Sequence, residues 1–168
     1  MSFPERFTRK GDGLFVSIAE AEAELLRSIP DELRPVLSAP VDPDNPVSER
    51  LFPRAYLDPT EEGAEREWQE LVRPELVRER VASLERLTKS LERGQIREGR
   101  VEVELDADEA QAWLGALNDA RLALGTRLGV TEDLDYDHVA EDHPDAAAYA
   151  VYGWLTWLEG DLVETLLG

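Results

Sequence analysis

Both histidines of the chain lie in one acidic stretch, DLDYDHVAEDHPD, which covers residues 133–145. Carboxylates and imidazoles commonly bind divalent metal ions, so this stretch is a candidate metal site. Its first residues match the D-x-D-x-D start of a calcium-binding loop, but His138 stands where that loop needs glycine, and Pro144 where it needs glutamate. The candidate ligands are Asp133, Asp135, Asp137, His138, Glu141, Asp142 and His143.

Two interpretations of this stretch stay open. In the first, Asp133–His143 forms the site of a small metal-dependent enzyme. In the second, it is a solvated acidic loop that gives one carboxylate to Arg121 or Arg127. The stretch has no helical His-x-x-x-His pair, and the chain has no cysteine and no Gly-x-Ser-x-Gly nucleophile turn. We therefore predict the second interpretation, with no bound metal or cofactor and no enzymatic activity.

A polar cluster interrupts the apolar stripe of the stretch DADEAQAWLGALNDARLALGTRLG, residues 106–129. Apolar residues recur there at about 100° per residue, and a guanidinium projects from the same stripe. Burying an unpaired charge costs several kcal/mol, so this guanidinium needs a partner. One hypothesis is an internal ion pair with Asp135, Asp137 or Asp142, which we favour, and the other is recognition of an acid on a partner protein. The cluster comprises Asn118, Asp119, Arg121 and Arg127, with Asp119 on the opposite side of the helix.

Two tryptophans near the C-terminus form a second candidate interaction site. Residues 144–167 are predicted to be a helix with apolar side chains on nearly all sides. Trp154 and Trp157 fall away from the centre of the face that carries Leu155, so one face cannot easily bury all three. Aromatic residues dominate protein interfaces, but at this density they also form cores, and the sequence leaves both possibilities open. A homodimer through this helix is a further hypothesis.

The net charge of −19 limits the kinds of partner. Residues 101–168 hold 16 acids against two bases, Arg121 and Arg127, so the charge is concentrated in the C-terminal part. Such a surface repels nucleic acid and anionic lipid, and it attracts a basic protein surface. The chain has no apolar run long enough to span a membrane, and residues 1–13 lack the apolar core of a secretion signal. We expect a cytoplasmic protein.

Capping residues and periodicity predict the helices. Residues 1–38 should form a hairpin followed by two short helices separated at Pro30. Residues 39–57 are rich in proline, yet they contain Leu51, Phe52, Tyr56 and Leu57, so this segment should lie pinned across the core. Residues 58–93 carry a long amphipathic pattern that includes Leu71, with a kink or break expected near Pro74. Asp106 and Glu109 have capping-box spacing, and Gly129 suits the helix end.

The β-structure is expected to be small. Phe3–Arg9 and Leu14–Ile18 flank a glycine-containing turn, which predicts a hairpin. Residues 100–105 alternate strictly between polar and apolar side chains, so Val101, Val103 and Leu105 should share one face of a strand. One strand alone is unstable, so it should pair with the hairpin. The sequence therefore predicts a single mainly helical α+β domain over residues 1–168, with residues 100–168 forming one strand and two core helices.

Three segments resemble an actinobacterial family of proteins of unknown function that includes an oxidative-stress transcriptional regulator. They are RLFPRAY at 50–56, WLGALNDARLALGTRLGV at 113–130 and YAVYGWLTWLEGDLVETLL at 149–167. The resemblance spans nearly the whole chain and implies a cytoplasmic protein that regulates transcription by contacting proteins, including an alternative sigma factor. It also implies gene neighbourhood with the adaptor of the Clp protease. Because the chain has no cysteine, redox sensing through thiols cannot operate in it.

These observations lead to one functional prediction and one main alternative. We predict a non-enzymatic regulator of the stress response that binds a protein partner, with a sigma factor as the suspected partner, and that does not bind nucleic acid by itself. The alternative is an adaptor or scaffold linked to the Clp protease. The residues predicted to carry the interaction or to stabilise the helices are Asn118, Asp119, Arg121, Arg127, Trp154 and Trp157.

Overall fold

The computed structural model describes residues 5–40, 42, 44–131 and 138–168. Within these residues the protein is mainly helical with one small antiparallel sheet, which confirms the predicted α+β class. None of the helices in the described part is long and apolar enough to cross a membrane. The elements are β1 Phe7–Lys10, β2 Gly13–Ala19, α1 Glu20–Ser38, α2 Pro46–Leu51, a 3₁₀ turn Pro59–Glu61, α3 Glu62–Arg93, β3 Gln95–Arg97, β4 Arg100–Leu105, α4 Ala107–Leu128 and α5 Ala146–Leu167.

The sheet has the strand order β1-β2-β4-β3, and all neighbouring strands are antiparallel. The expected pairing of the hairpin with residues 101–105 is confirmed, since Val16 lies opposite Val103 and Ile18 opposite Val101. These apolar side chains are buried on one face, whereas Glu104 is exposed on the other. Strand β3 was not predicted, because three residues are too few to show an alternating pattern.

Helix α4 lies at the centre of the fold and packs against β2, β4 and the other four helices of the described chain. Its Trp113 is fully buried and meets the Phe7 ring edge-on, with 6.4 Å between ring centroids. The indole Nε1–H of Trp113 donates a hydrogen bond of 2.7 Å to Ser90 Oγ on α3. This bond satisfies the one polar atom of a side chain that otherwise fills apolar space.

The ends of α4 follow the predicted capping residues. The Asp106 carboxylate accepts the Glu109 backbone N–H at 2.7 Å, and the Glu109 carboxylate accepts the Asp106 N–H at 3.1 Å. Gly129 ends the helix with φ 69°, a left-handed conformation that glycine adopts without steric cost. The predicted boundaries of α4 are therefore confirmed.

The expected separation of two helices at Pro30 does not occur. We predicted two short helices separated at Pro30, but one helix runs from Glu20 to Ser38 with Pro30 and Pro35 inside it. Each proline removes one backbone hydrogen bond. The apolar stripe continues on both sides of them through Leu26, Leu33 and Leu37, all buried, and this burial offsets the lost bonds.

The next two segments also differ in part from the predictions. Leu51 and Phe52 are buried as expected, but the proline-rich segment contains helix α2, while Tyr56 and Leu57 are exposed. Helix α3 continues through Pro74 without a break. Leu71 is 80% exposed, although its spacing placed it on the apolar face. A 32-residue helix extends beyond the core near its start, so its periodicity does not report burial there.

Candidate functional site

Arg121 connects α4 to α5 through neutral partners. Its Nε–H donates to Thr156 Oγ1 at 2.9 Å, and its guanidinium carbon lies 5.5 Å from the centroid of the Tyr152 ring. The side chain is half-buried. Among the described residues no carboxylate lies within 4.0 Å of this guanidinium, so the expected ion pair with Asp142 does not form. The other two acids expected as partners, Asp135 and Asp137, lie outside the described residues.

The charge of Glu159 on α5 interacts with that of Arg121 on α4. Burial raises the pKa of the Glu159 carboxyl, and the positive charge of Arg121 partly opposes that rise. One Glu159 oxygen is buried without a hydrogen-bond partner. The two side chains therefore interact through their charges, without a direct ion pair, across the contact between α4 and α5.

Asp119 faces the other way, toward α3. It is 6% exposed, and its Oδ1 lies 3.3 Å from Arg80 Nη1. Burial raises the pKa of Asp119 to about 6, the Arg80 charge opposes this rise, and the Glu159 charge adds to it. The Arg80 guanidinium in turn stacks on the Phe52 ring, with 4.9 Å from its carbon to the ring centroid. Asp119 thus belongs to a buried contact that joins α4 to α3 and to Phe52, the residue after α2.

The remaining predicted polar residues do not join these contacts. Asn118 is half-buried on α4, and Arg127 is exposed in the last turn of that helix. Arg127 and Trp154 both line a groove of about 220 Å³ between α1, α4 and α5. The six predicted residues are therefore distributed over several faces of α4 and α5 and do not form one site.

The two tryptophans have different environments. Trp154 is half-buried, and its Nε1–H donates to Glu22 Oε2 at 2.8 Å. The same oxygen accepts the Arg6 Nε–H at 2.7 Å. Burial works against the Glu22 charge, but hydrogen bonds from Trp154, the Ala19 N–H and Arg6 outweigh it and lower the pKa of Glu22. Trp154 is thus part of a hydrogen-bonded contact between α5 and the start of α1.

Trp157 is 52% exposed, and the Arg6 guanidinium lies over its ring at 4.1 Å from the centroid. Asp161 and Glu164 follow at spacings of four and three residues, which places them beside Trp157 on one face of α5. Burial raises the pKa of Asp161, the Arg6 charge opposes this, and the negative charges of Glu164 and Glu5 add to it. We call this face, Arg6, Trp157, Asp161 and Glu164, the α5 surface.

The α5 surface combines an exposed aromatic ring with acidic side chains. Trp157 offers a large aromatic ring whose orientation Arg6 restricts, and tryptophan is among the residues that contribute most to binding free energy at interfaces. The neighbouring acids supply negative charge around it. Periodicity indicated that one face could not easily bury both tryptophans together with Leu155, but it could not identify Arg6, which comes from before β1.

The acidic stretch of residues 133–145 is only partly described. Asp133, Asp135 and Asp137 lie outside the described residues. His143 lies in the turn that begins α5, where its Nδ1 accepts the Asp145 N–H at 3.0 Å and its ring packs edge-on against Tyr149. The described residues contain no group of three or more histidines or acids that could hold a metal ion.

A second polar region was not predicted. A cleft lies beside the first half of α3, where Arg73 is 9% exposed and stacks on Phe52, with 4.8 Å from the guanidinium carbon to the ring centroid. Arg73 lies in a stretch of α3 that is rich in charged residues, and such a stretch predicts a solvent-exposed helix face. The only unusual feature of Arg73 in the sequence is its position beside Pro74 in a helix, and this position does not indicate burial.

Comparison with known proteins identifies the family of this chain. The oxidative stress regulators AosR of Mycobacterium tuberculosis (strain ATCC 25618 / H37Rv) and Mycobacterium bovis are each 31% identical to this chain over 193 residues, covering 96% of this chain and 85% of theirs. A Mycobacterium leprae relative is 32% identical over 136 residues, covering 74% of this chain and 60% of its own. No solved structure matches the chain. Because residues 4–166 match the family described as "Domain of unknown function (DUF2017)", the chain belongs to that family.

Proposed function

We propose that this protein regulates the oxidative stress response by binding another protein through the α5 surface, without catalysing a reaction. The mycobacterial relatives named as oxidative stress regulators support the regulatory role. The observation that carries the binding role is Trp157, which is 52% exposed while the buried residues of the same helix fill the core.

The charge of the protein favours a basic partner. The net charge is −19, and two of the acids, Asp161 and Glu164, lie on the α5 surface beside the aromatic ring. Opposite charges on two proteins accelerate their encounter, and salt weakens this attraction. An alternative sigma factor with a basic surface is the partner we propose, and the protein would then act on transcription without contacting DNA by itself.

The test is a direct binding titration between the purified protein and the alternative sigma factor of the same organism. Trp157→Ala should weaken binding by about 30-fold, because truncating an interface tryptophan typically costs about 2 kcal/mol or more. Leu71→Ala is the matched control, since Leu71 is 80% exposed on α3 and lies outside the α5 surface. The control should bind like the wild type.

Two results would contradict the proposal. Equal affinities of wild type and Trp157→Ala would exclude the α5 surface as the binding site. Recovery of Clp protease components instead of a sigma factor in a co-purification would favour the adaptor function. Light scattering belongs in the same experiment, because a dimer formed through α5 would cover Trp157 and remove it from other partners.

A further inference from the structure

A cleft of about 830 Å³ separates the C-terminal end of α1 and helix α2 from the first half of α3. Its apolar wall includes Leu37, Phe52, Pro74 and Val77. The volume falls within the range of roughly 300–1,000 Å³ that is typical of small-ligand sites. The cleft is separate from the α5 surface, so what it binds is independent of the function proposed above.

Arg73 lines this cleft and has no counter-ion among the residues that the structure describes. The residue is 9% exposed, and its Nη2 donates to the Ala39 carbonyl oxygen at 2.9 Å. Its Nε is buried without a hydrogen-bond partner. Within the described part of the chain, no carboxylate lies within 4.0 Å of this guanidinium. Buried arginines are nearly always paired, because an uncompensated buried charge is strongly destabilising.

Gln69, one helical turn before Arg73, presents an unused acceptor. Its Nε2–H donates to Glu65 Oε1 at 2.8 Å. The second Glu65 oxygen accepts the backbone N–H groups of Ala55 and Tyr56, and these bonds lower the pKa of Glu65 against the effect of its burial. An ionised carboxylate only accepts hydrogen bonds, so the orientation of the Gln69 amide is fixed. Gln69 Oε1 is left buried without a donor.

The two unpaired atoms lie on one stripe of α3, since residues four apart in a helix are neighbours. We propose that the cleft binds a carboxylate that has an N–H donor beside it and an apolar side chain attached. After a small shift of the two side chains that makes these buried atoms accessible, the carboxylate would pair with the Arg73 guanidinium and the N–H would donate to Gln69 Oε1. The apolar group would pack against Phe52 and Val77. This is the chemistry of the carboxyl-terminal residue of a peptide and of a free apolar amino acid.

The other charges of the cleft favour a single carboxylate over a phosphate. Arg54 pairs with Glu62, and the exposed Arg66 is outnumbered by the exposed acids Asp42, Glu49 and Glu70. Glu49 and Glu70 are exposed at the edge of the cleft, where they repel a ligand with two negative charges. The same acids tolerate a ligand whose second polar group is a donor.

The test is a titration followed by NMR, with acetyl-Ala-Ala-Leu, the same peptide with an amidated carboxyl terminus, free L-leucine and inorganic phosphate as probes. We expect the free-acid peptide to shift the amide signals of α3, and the amidated peptide to bind at least about tenfold more weakly, because one charge-assisted hydrogen bond is lost. Binding of L-leucine as tight as that of the peptide identifies a free amino acid as the ligand. Binding of the peptide alone identifies a carboxyl terminus.

Arg73→Met removes the charge and keeps an unbranched, apolar side chain at this position. It should lose peptide binding by at least about tenfold and melt at the wild-type temperature or above, because it removes an unpaired buried charge. Arg78→Met, an exposed position on the same helix, is the matched control. Val77→Phe narrows the cleft, and its loss of binding tests the proposal independently of Arg73. Equal binding of the acid and amide peptides, unchanged binding in Arg73→Met, competition by phosphate, or no binding by any probe would overturn the proposal.

Discussion

The buried carboxyl of Asp119 makes the stability of the folded protein depend on pH. Burial raises its pKa from 3.8 to about 6, despite the Arg80 charge and with help from the Glu159 charge. The folded protein therefore binds the Asp119 proton more tightly than the unfolded chain does. Between about pH 4 and about pH 6 the folded state carries more protons, so the free energy of unfolding falls as the pH rises.

The magnitude follows from the size of the shift. About two pKa units correspond to about 3 kcal/mol, since one unit is worth about 1.36 kcal/mol. By the same linkage relation, about 1.4 kcal/mol of this lies between about pH 5 and about pH 7.5, a range in which the measurement is practical. Asp119→Asn has no proton to lose, so its stability lacks this part of the pH dependence.

The assay is urea unfolding followed by tryptophan fluorescence at several pH values in this range. The difference in free energy of unfolding between Asp119→Asn and the wild type should grow in favour of the variant by about 1.4 kcal/mol as the pH rises. Other titrating groups are present in both proteins and cancel in the difference, except for the mutual effect of Asp119 and Glu159. Asp108→Asn, at an exposed position of the same helix, is the matched control. A constant difference between Asp119→Asn and the wild type across the range would refute the reasoning.

Three substitutions test the packing around α4. Ser90→Ala leaves the buried Trp113 Nε1–H without its acceptor and should lower the free energy of unfolding by about 1–3 kcal/mol in urea denaturation. An unchanged free energy of unfolding would mean that water replaces the hydroxyl. Gly125→Ala places a methyl carbon 2.8 Å from Tyr152 Cε2, so calorimetry should show a loss of about 1–3 kcal/mol, and an unchanged melting temperature would mean that the ring moves freely. Leu158→Ala empties a fully buried site on α5 and should cost about 2–5 kcal/mol, whereas a loss below about 1 kcal/mol would contradict the burial of that helix.

Features encoded by short-range interactions could be predicted from the sequence. The capping box of Asp106 and Glu109 and the glycine at position 129 act within one helical turn, so they fix the ends of α4 without reference to the rest of the fold. Strict alternation in residues 100–105 likewise identified β4 and its buried face. The pairing of β4 with the hairpin followed because an isolated strand is unstable.

Features that depend on distant contacts could not be predicted. The continuity of α1 through Pro30 and Pro35 depends on apolar neighbours that only the assembled core supplies. Helix α2 is six residues long, too short for a periodic signal, and it packs against α4. Prolines in the sequence therefore indicated where helices could end but not where tertiary packing would keep them intact.

The same limit applies to the candidate sites. Periodicity placed Asp119 and Arg121 on opposite sides of α4, and the structure has them facing α3 and α5 respectively. Their partners Arg80 and Thr156 lie on other helices at distances of 39 and 35 residues along the chain, so no local pattern could identify them. The burial of Arg73 depends in the same way on Phe52 and on the end of α1.

The most direct test of the proposed function is an affinity purification of the tagged protein from its own cells under oxidative stress, with bound proteins identified by mass spectrometry. Wild type, Trp157→Ala and Leu71→Ala are compared side by side. We expect an alternative sigma factor to be recovered with wild type and with Leu71→Ala and to be lost with Trp157→Ala. Recovery of the same proteins with all three variants would contradict it, as would recovery of protease components in place of the sigma factor.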